Sequence, residues 1–192
     1  MELEKVIKQR RTIRKFKSGK IEHEVLVDLI DAARLAPSAS NVQPLKYMIV
    51  EDEQLVEKVY KCVKWAKYIA PEPYHDETGK PSAFIVVLID SDIRESGYEI
   101  DIGAAVENIL LSAYDKGIGT CWMGAINRTK IRQSLNIPQK YLLNTVIALG
   151  YKDEDPVIEG LDEEGSIRYY KDEDGTLHVP KRSLDDIILK IE

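Results

Sequence analysis

Cysteine is scarce in this chain: Cys62 and Cys121 are the only two in 192 residues, and they lack CxxC spacing. Two isolated thiols exclude a disulfide scaffold and a zinc ribbon. Histidine is scarce too. His23, His75 and His178 stand too far apart for metal-ligand spacing, so no metal site is expected. No long hydrophobic run exists; the longest, "AFIVVLI" at 83–89, falls far short of the roughly 20 residues a membrane helix needs. Met1 leads directly into Glu2, Glu4 and Lys5, which predicts no secretory leader and a reducing, cytoplasmic setting. An excess of positive charge is missing as well. The net charge is -6 and the pI about 5.3, whereas a chain built to coat nucleic acid is normally basic.

Catalytic signatures are equally thin. No GxGxxG, GxxxxGK[ST] or GxSxG occurs, which disfavours Rossmann, P-loop and hydrolase-elbow sites. The acidic pairs Glu163-Glu164 and Asp185-Asp186 sit in polar stretches and read as solvated surface. Cys121 has no inferable base beside it, so it reads as a small core residue. With no evident machine among the side chains, the reaction is expected to be carried by a cofactor.

What is present is an ordinary globular composition, 44% hydrophobic and 31% charged, over a length that suits one domain, 1–192. A short helix-like start precedes "RRTIRKFKSG" at 10–19. Residues 22–36 carry a helical stripe of Val25, Leu26, Leu29, Ile30, Ala33 and Ala36, which must stop at "APSASNVQP" between Pro37 and Pro44. "LKYMIVE" predicts a strand, 53–67 an amphipathic helix, 71–82 a loop and "SAFIVVLID" a buried strand. Glu99 to Lys116 predicts a helix apolar on two sides, with Gly103, Ala104 and Ala105 open to a close neighbour, one candidate being a second subunit. "GIGTCWMGAI" predicts a strand and turn, 128–135 a short helix and "KYLLNTVIALGY" a central strand. Beyond 152 the chain turns polar, with a hairpin around Asp174-Gly175 and a last helix capped by Ser183. This tail, 152–192, cannot bury much surface alone and is expected to wrap the main body or a partner. The mixture predicts an α+β layer structure.

On an acidic body the cations around Thr12 are a local exception. Guanidinium groups grip phosphate bidentately and a threonine hydroxyl adds a neutral donor, so the segment suits a small anion. Taken alone it equally suits a solvated basic turn. The "PSASNVQP" loop offers hydroxyls and amides for a polyol or heterocycle edge, or is simply a helix-terminating loop.

Together, "RRTIRKF", "APSASNVQPLKYMIV", "IGAAVENILLSAYDKGIGTCWMGAI", "LGYKDEDP" and "VPKRSLDDII" resemble, in order, the motifs of the FMN-dependent nitroreductase family. The resemblance implies a central, mostly antiparallel sheet flanked by helices and an obligate intertwined homodimer with FMN at the subunit interface. It implies that Arg10 and Thr12, with Arg11 beside them, hold the FMN phosphate and ribityl chain, with Lys181 or Arg182 as a C-terminal phosphate contact. Arg14 would lie near the flavin N1/O2 edge. Pro37, Ser38, Ala39, Ser40 and Asn41 would come from the partner subunit, Gln43 near the pyrimidine end, and Met123 and Gly124 would present backbone to the isoalloxazine. No protein acid is required by that scheme: NADH or NADPH reduces the flavin, and a small aromatic acceptor (nitroaromatic, quinone or flavin) reoxidises it in ping-pong order. The alternatives are a same-fold enzyme with a dedicated substrate, dehalogenase-like, or a non-catalytic flavin-binding protein. Residues 60–82, with Trp65, Tyr68 and Tyr74, occupy the region that would form the acceptor lid.

Overall fold

The computed structural model describes residues 2–65, 68 and 79–189. Tyr74, His75 and most of the expected lid lie outside them. The strand expected from "AFIVVLI" is β3 (Ala83–Asp90), and all eight of its residues are buried. Its neighbour β5 (Tyr141–Lys152) is the organising strand, pairing antiparallel with β3, with β4 (Ile118–Met123) and with the two-residue β1 (Phe16–Lys17). β2 (Leu45–Val50) closes the sheet beside β3, again antiparallel.

Because side chains alternate along a strand, β3 feeds two cores. Ile85, Val87 and Ile89 face α2 (His23–Arg34) and α4 (Glu99–Asp115), meeting Leu26, Leu29, Val106 and Ile109. Phe84, Val86 and Leu88 face α3 (Glu53–Tyr60) and α5 (Arg128–Ser134), meeting Val56, Val59 and Ile131. The result is an α+β three-layer domain, helix pair on sheet on helix pair, as the mixture of elements predicts.

The helix expected over 53–67 is shorter in the structure, which ends α3 at Tyr60. Beyond it the chain leaves the helix to pair with the turn after β4. Lys64 N donates to Ala125 O at 2.9 Å, Asn127 N donates to Cys62 O at 2.7 Å, and Val63 bridges Ile126. Tertiary pairing has overridden helical periodicity there.

The tail forms a separate three-stranded sheet. β8 (Leu177–Lys181) pairs antiparallel with β7 (Tyr170–Lys171), completing the hairpin expected at Asp174-Gly175. On its other side β8 pairs parallel with β6 (Val157–Gly160), a strand the sequence pattern does not announce. The last helix, α6 (Leu184–Ile187), is a single turn closed by a capping box between Ser183 and Asp186.

Candidate functional site

The basic segment owes its position to two glycines. After α1 (Leu3–Gln9) the chain runs beside β4 and then pairs with the end of β5 through β1: Thr12 bridges Thr120 in parallel, and Ile13 N donates to Thr120 O at 2.9 Å. A Cβ on Gly119 would meet Ile13 at 2.9 Å, and one on Gly150 would meet Phe16 at 2.8 Å. Any side chain at either position would lift the segment off the sheet. Its far end is pinned by Glu154, whose carboxylate accepts from the amides of Arg14 and Lys15.

Positive charge then accumulates. Arg11 donates to the carbonyls of Lys8 and Arg10, and burial together with the Arg10 charge holds its guanidinium below its usual value. Two adjacent guanidiniums, one of them partly buried, form a place where an anion is stabilised. Arg10 meets one acid, Glu107 of α4, at 3.4 Å. Arg14 has its guanidinium 4.8 Å from the centre of the Tyr169 ring. That ring stands edge-on to Tyr68 with centroids 5.0 Å apart, so a tail residue bridges Arg14 and the start of the expected lid.

The "PSASNVQP" loop is built on a residue that sequence reasoning passed over, Asp101 in the first turn of α4. Its carboxylate is 3% exposed and accepts from Ser38 Oγ at 2.7 Å and Ala39 N at 3.1 Å. Ser38 Oγ in turn accepts from Gln43 N at 2.9 Å, and Gln43 Nε2 donates to Asn41 O at 3.0 Å. Burial is the largest influence and pushes the Asp101 carboxyl up; the Ser38 and Ala39 hydrogen bonds and the Arg94 charge outweigh it and hold it below its ordinary value. The anchored loop carries three non-glycine residues in the left-handed region, Ser40 (φ 53°), Asn41 (φ 56°) and Gln43 (φ 53°). Such backbone costs on the order of 1–3 kcal/mol per residue and persists only where the surroundings fix it. Beneath the loop is a cleft of about 210 Å³ lined by Pro37, Ser38, Gln43, Tyr47 and Asp101. The signal for Asp101 was a lone carboxylate in a helix otherwise apolar on that side.

At the end of β4 the main chain is held from behind. Thr145 Oγ1 donates to Met123 O and accepts from Trp122 Nε1 at 2.8 Å, and Arg128 reaches Gly124 O at 3.3 Å. The Gly124 amide has no acceptor among the described residues, which leaves it available to a ligand.

The expected site residues therefore fall into three groups. Arg10, Arg11, Thr12 and Arg14 lie along β4, with Met123 and Gly124 at that strand's end. Pro37, Ser38, Ala39, Ser40, Asn41 and Gln43 form the Asp101-anchored loop. Lys181 ends β8 and Arg182 follows it, and neither makes a hydrogen bond or ion pair with Arg10–Arg14 among the described residues. α4 links the first two groups, since Asp101 and Glu107 are about 9 Å apart along its axis. Of the other candidates, Cys121 is 4% exposed and burial pushes its thiol up to about 11, so it is a core residue. Trp65 packs on Tyr60 with centroids 5.8 Å apart. His23 pairs with Glu51 at 2.9 Å, and His178 bridges Glu159 and Asp172.

The family model described as "Nitroreductase family" matches residues 7–151. An Archaeoglobus fulgidus protein assigned by name to the NADH dehydrogenase/NAD(P)H nitroreductases is 34% identical over 166 residues, covering 82% of this chain and 90% of its own. Among solved structures, a nitroreductase family protein of Clostridium novyi NT aligns with a TM-score of 0.68 at 32% identity, over 79% of this chain and 87% of that one. An FMN-dependent nitroreductase of Clostridium difficile R20291 aligns with a TM-score of 0.65 at 25% identity, over 83% of this chain and 91% of that one.

Proposed function

Because the chain belongs to the nitroreductase family, we propose that it is an FMN-dependent oxidoreductase that takes its electrons from NADH or NADPH and reduces small aromatic acceptors, in ping-pong order, as a homodimer. One observation carries the reading: the segment from Arg10 to Arg14 lies along the strand that ends at Gly124, with Gly119 and Gly150 clearing its path. A phosphate contact and a ring-edge contact would thereby share one strand.

When bound, FMN supplies the two-electron chemistry that no side chain here provides. Arg10 and Arg11 would hold the phosphate, relieving their mutual repulsion, with Thr12 as a neutral donor. Lys181 or Arg182 would add a second charge to the same group. Arg14 would set positive charge at the N1/O2 edge, stabilising the negative charge that accompanies reduction. The Gly124 amide would donate to N5, its peptide fixed from behind by Thr145 at Met123 O and the next peptide held by Arg128 at Gly124 O. Pro37, Ser38, Ala39, Ser40 and Asn41 would complete the site from the partner subunit, with Gln43 near the pyrimidine end.

The deciding experiment is the visible spectrum of the purified protein, followed by anaerobic additions of NADH and NADPH. The expected result is a yellow protein that releases one FMN per chain on denaturation and bleaches with either nucleotide. Once bleached, it should recover its colour with menadione or nitrofurazone. Colour that no nicotinamide nucleotide bleaches would make the protein a flavin binder without turnover. Slow bleaching with dithionite-driven dehalogenation of a halogenated aromatic would assign a dedicated substrate instead.

A further inference from the structure

A second basic region lies on the other side of Gly124. The chain segment that left α3 early, Lys61 to Lys64, faces the turn from Gly124 to Lys130 across a recess of about 670 Å³, a size that accommodates a nucleotide. Four of its lining residues are cations, Lys61, Lys64, Arg128 and Lys130, and none is a carboxylate. On a chain of net charge -6 this is a concentrated exception. Lys61 has a partner, Glu57, at 3.0 Å. Lys64 and Lys130 make no ion pair among the described residues.

Arg128 is the most constrained of the four. One of its terminal nitrogens, Nη2, donates to Asn144 O at 2.7 Å and Gly124 O at 3.3 Å. Two carbonyls fix the guanidinium plane without neutralising it, and its Nε and Nη1 donors are left for a ligand. Like-charged groups gathered round a concave surface repel one another, and a multiply charged anion removes that cost.

We propose that this recess binds the phosphate groups of the nicotinamide dinucleotide donor, separately from the FMN phosphate contact at Arg10–Thr12. The inference rests on the proposed function and deepens it. Gly124 lines the recess and also ends the strand that faces the flavin, so a dinucleotide anchored by its phosphates at Lys64, Arg128 and Lys130 has its nicotinamide end directed toward the ring. The anchoring is remote from the reacting atoms and therefore governs donor affinity rather than the chemical step.

The test is the double variant Lys64→Ala/Lys130→Ala of the FMN-loaded protein, which spares Arg128 and its main-chain bonds. ADP, carrying the pyrophosphate without the nicotinamide, is titrated calorimetrically into wild type and variant. Wild type should bind it, and the variant should bind it about tenfold or more weakly, as the loss of charge-assisted contacts dictates. KM for NADH and NADPH should rise by a similar factor, with a shallower dependence on salt and little change at saturation. Reduction by 1-benzyl-1,4-dihydronicotinamide, a donor without phosphate, should be unaffected, and FMN content should stay at one per chain. Wild type that ignores ADP, or a variant that binds ADP and dinucleotides normally, overturns the proposal. Loss of FMN from the variant also overturns it, by giving the recess to the flavin phosphate. Failure of the benzyl donor on wild type would instead strike the proposed function, and the ADP titration would still decide the recess.

Discussion

Two single residues carry separate duties, and their variants should fail differently. Asp101 gathers the loop: three donors on Ser38, Ala39 and Gln43 are ordered through its buried carboxylate, directly or through the Ser38 hydroxyl. Asp101→Asn keeps the volume and loses the charge, so it should cost about 1.5–3 kcal/mol by urea denaturation near neutral pH. The sign of its pH dependence is fixed by its lowered carboxyl. Its stabilisation is complete above the unfolded value of about 3.9 and disappears as pH falls through the lower folded value. Wild type and variant should therefore converge in strong acid. Arg14 is proposed to serve the chemistry instead. On the proposed reading, Arg14→Gln lowers the flavin reduction potential, measured against reference dyes, while FMN affinity changes less. Tyr169→Leu, which removes the ring beneath the guanidinium, should move the potential in the same direction by a smaller amount. An unchanged potential in Arg14→Gln would remove Arg14 from the N1/O2 edge.

At the scale of elements the glycines in β4 and β5 are the sharpest handle. Gly150→Ala puts a methyl 2.8 Å from the Phe16 ring, an overpacking that costs about 1–3 kcal/mol. The basic segment must then rise, and FMN retention should fall with stability. Adding Phe16→Leu should recover part of both; recovery of neither would mean that the segment is held by something other than this contact. The tail sheet should respond to alkali. His178 joins Asp172 after β7 to Glu159 on β6, and these hydrogen bonds raise its pKa above the ordinary 6.5. A raised value means that the stabilisation is full below about pH 6.5 and is lost as pH climbs through the folded value. Hydrogen-exchange protection across 157–181, corrected for the intrinsic rate at each pH, should fall over that window in wild type and stay flat in His178→Gln.

The same elements show what a sequence discloses. β3 and β5 were legible because both faces are apolar, and the helix over 22–36 because its stripe is regular. The early end of α3 was not, because it depends on amide partners at Ala125 and Cys62 some sixty residues apart. β6 was not, because its exposed pattern carries no alternation and its partner lies across the hairpin. Arg10–Arg14 and the 37–43 loop were legible as motifs. Asp101, the loop's structural anchor, was hidden inside a helix whose periodicity read as core.

The whole molecule leaves apolar surface that one chain does not cover. Ile100 on α4 is 85% exposed and Leu189 at the tail 90%, with Leu184, Ile187 and Ile188 beside it and Leu3 and Ile7 on α1. A Cβ on Gly103 would meet nothing within 4 Å, so the close approach its smallness permits is not made among the described residues. Such surface favours association, and the proposed two-fold dimer makes a definite prediction about the site. If each site takes Arg10 from one subunit and Asn41 from the other, Arg10→Ala and Asn41→Asp homodimers should both be nearly inactive. In a hybrid dimer of the two variants, one site collects both lesions and the other neither. The second site is wild type, so co-expression should restore up to about half of wild-type activity per hybrid, co-purifying with doubly tagged dimer. If both residues came from one chain, every hybrid site would keep a lesion and the doubly tagged fraction would stay dead. Dead hybrids with subunit exchange verified by mass would require the loop to serve its own chain's flavin, and the Asp101–Glu107 span of α4 would then have to bridge the two halves of the site within a single subunit.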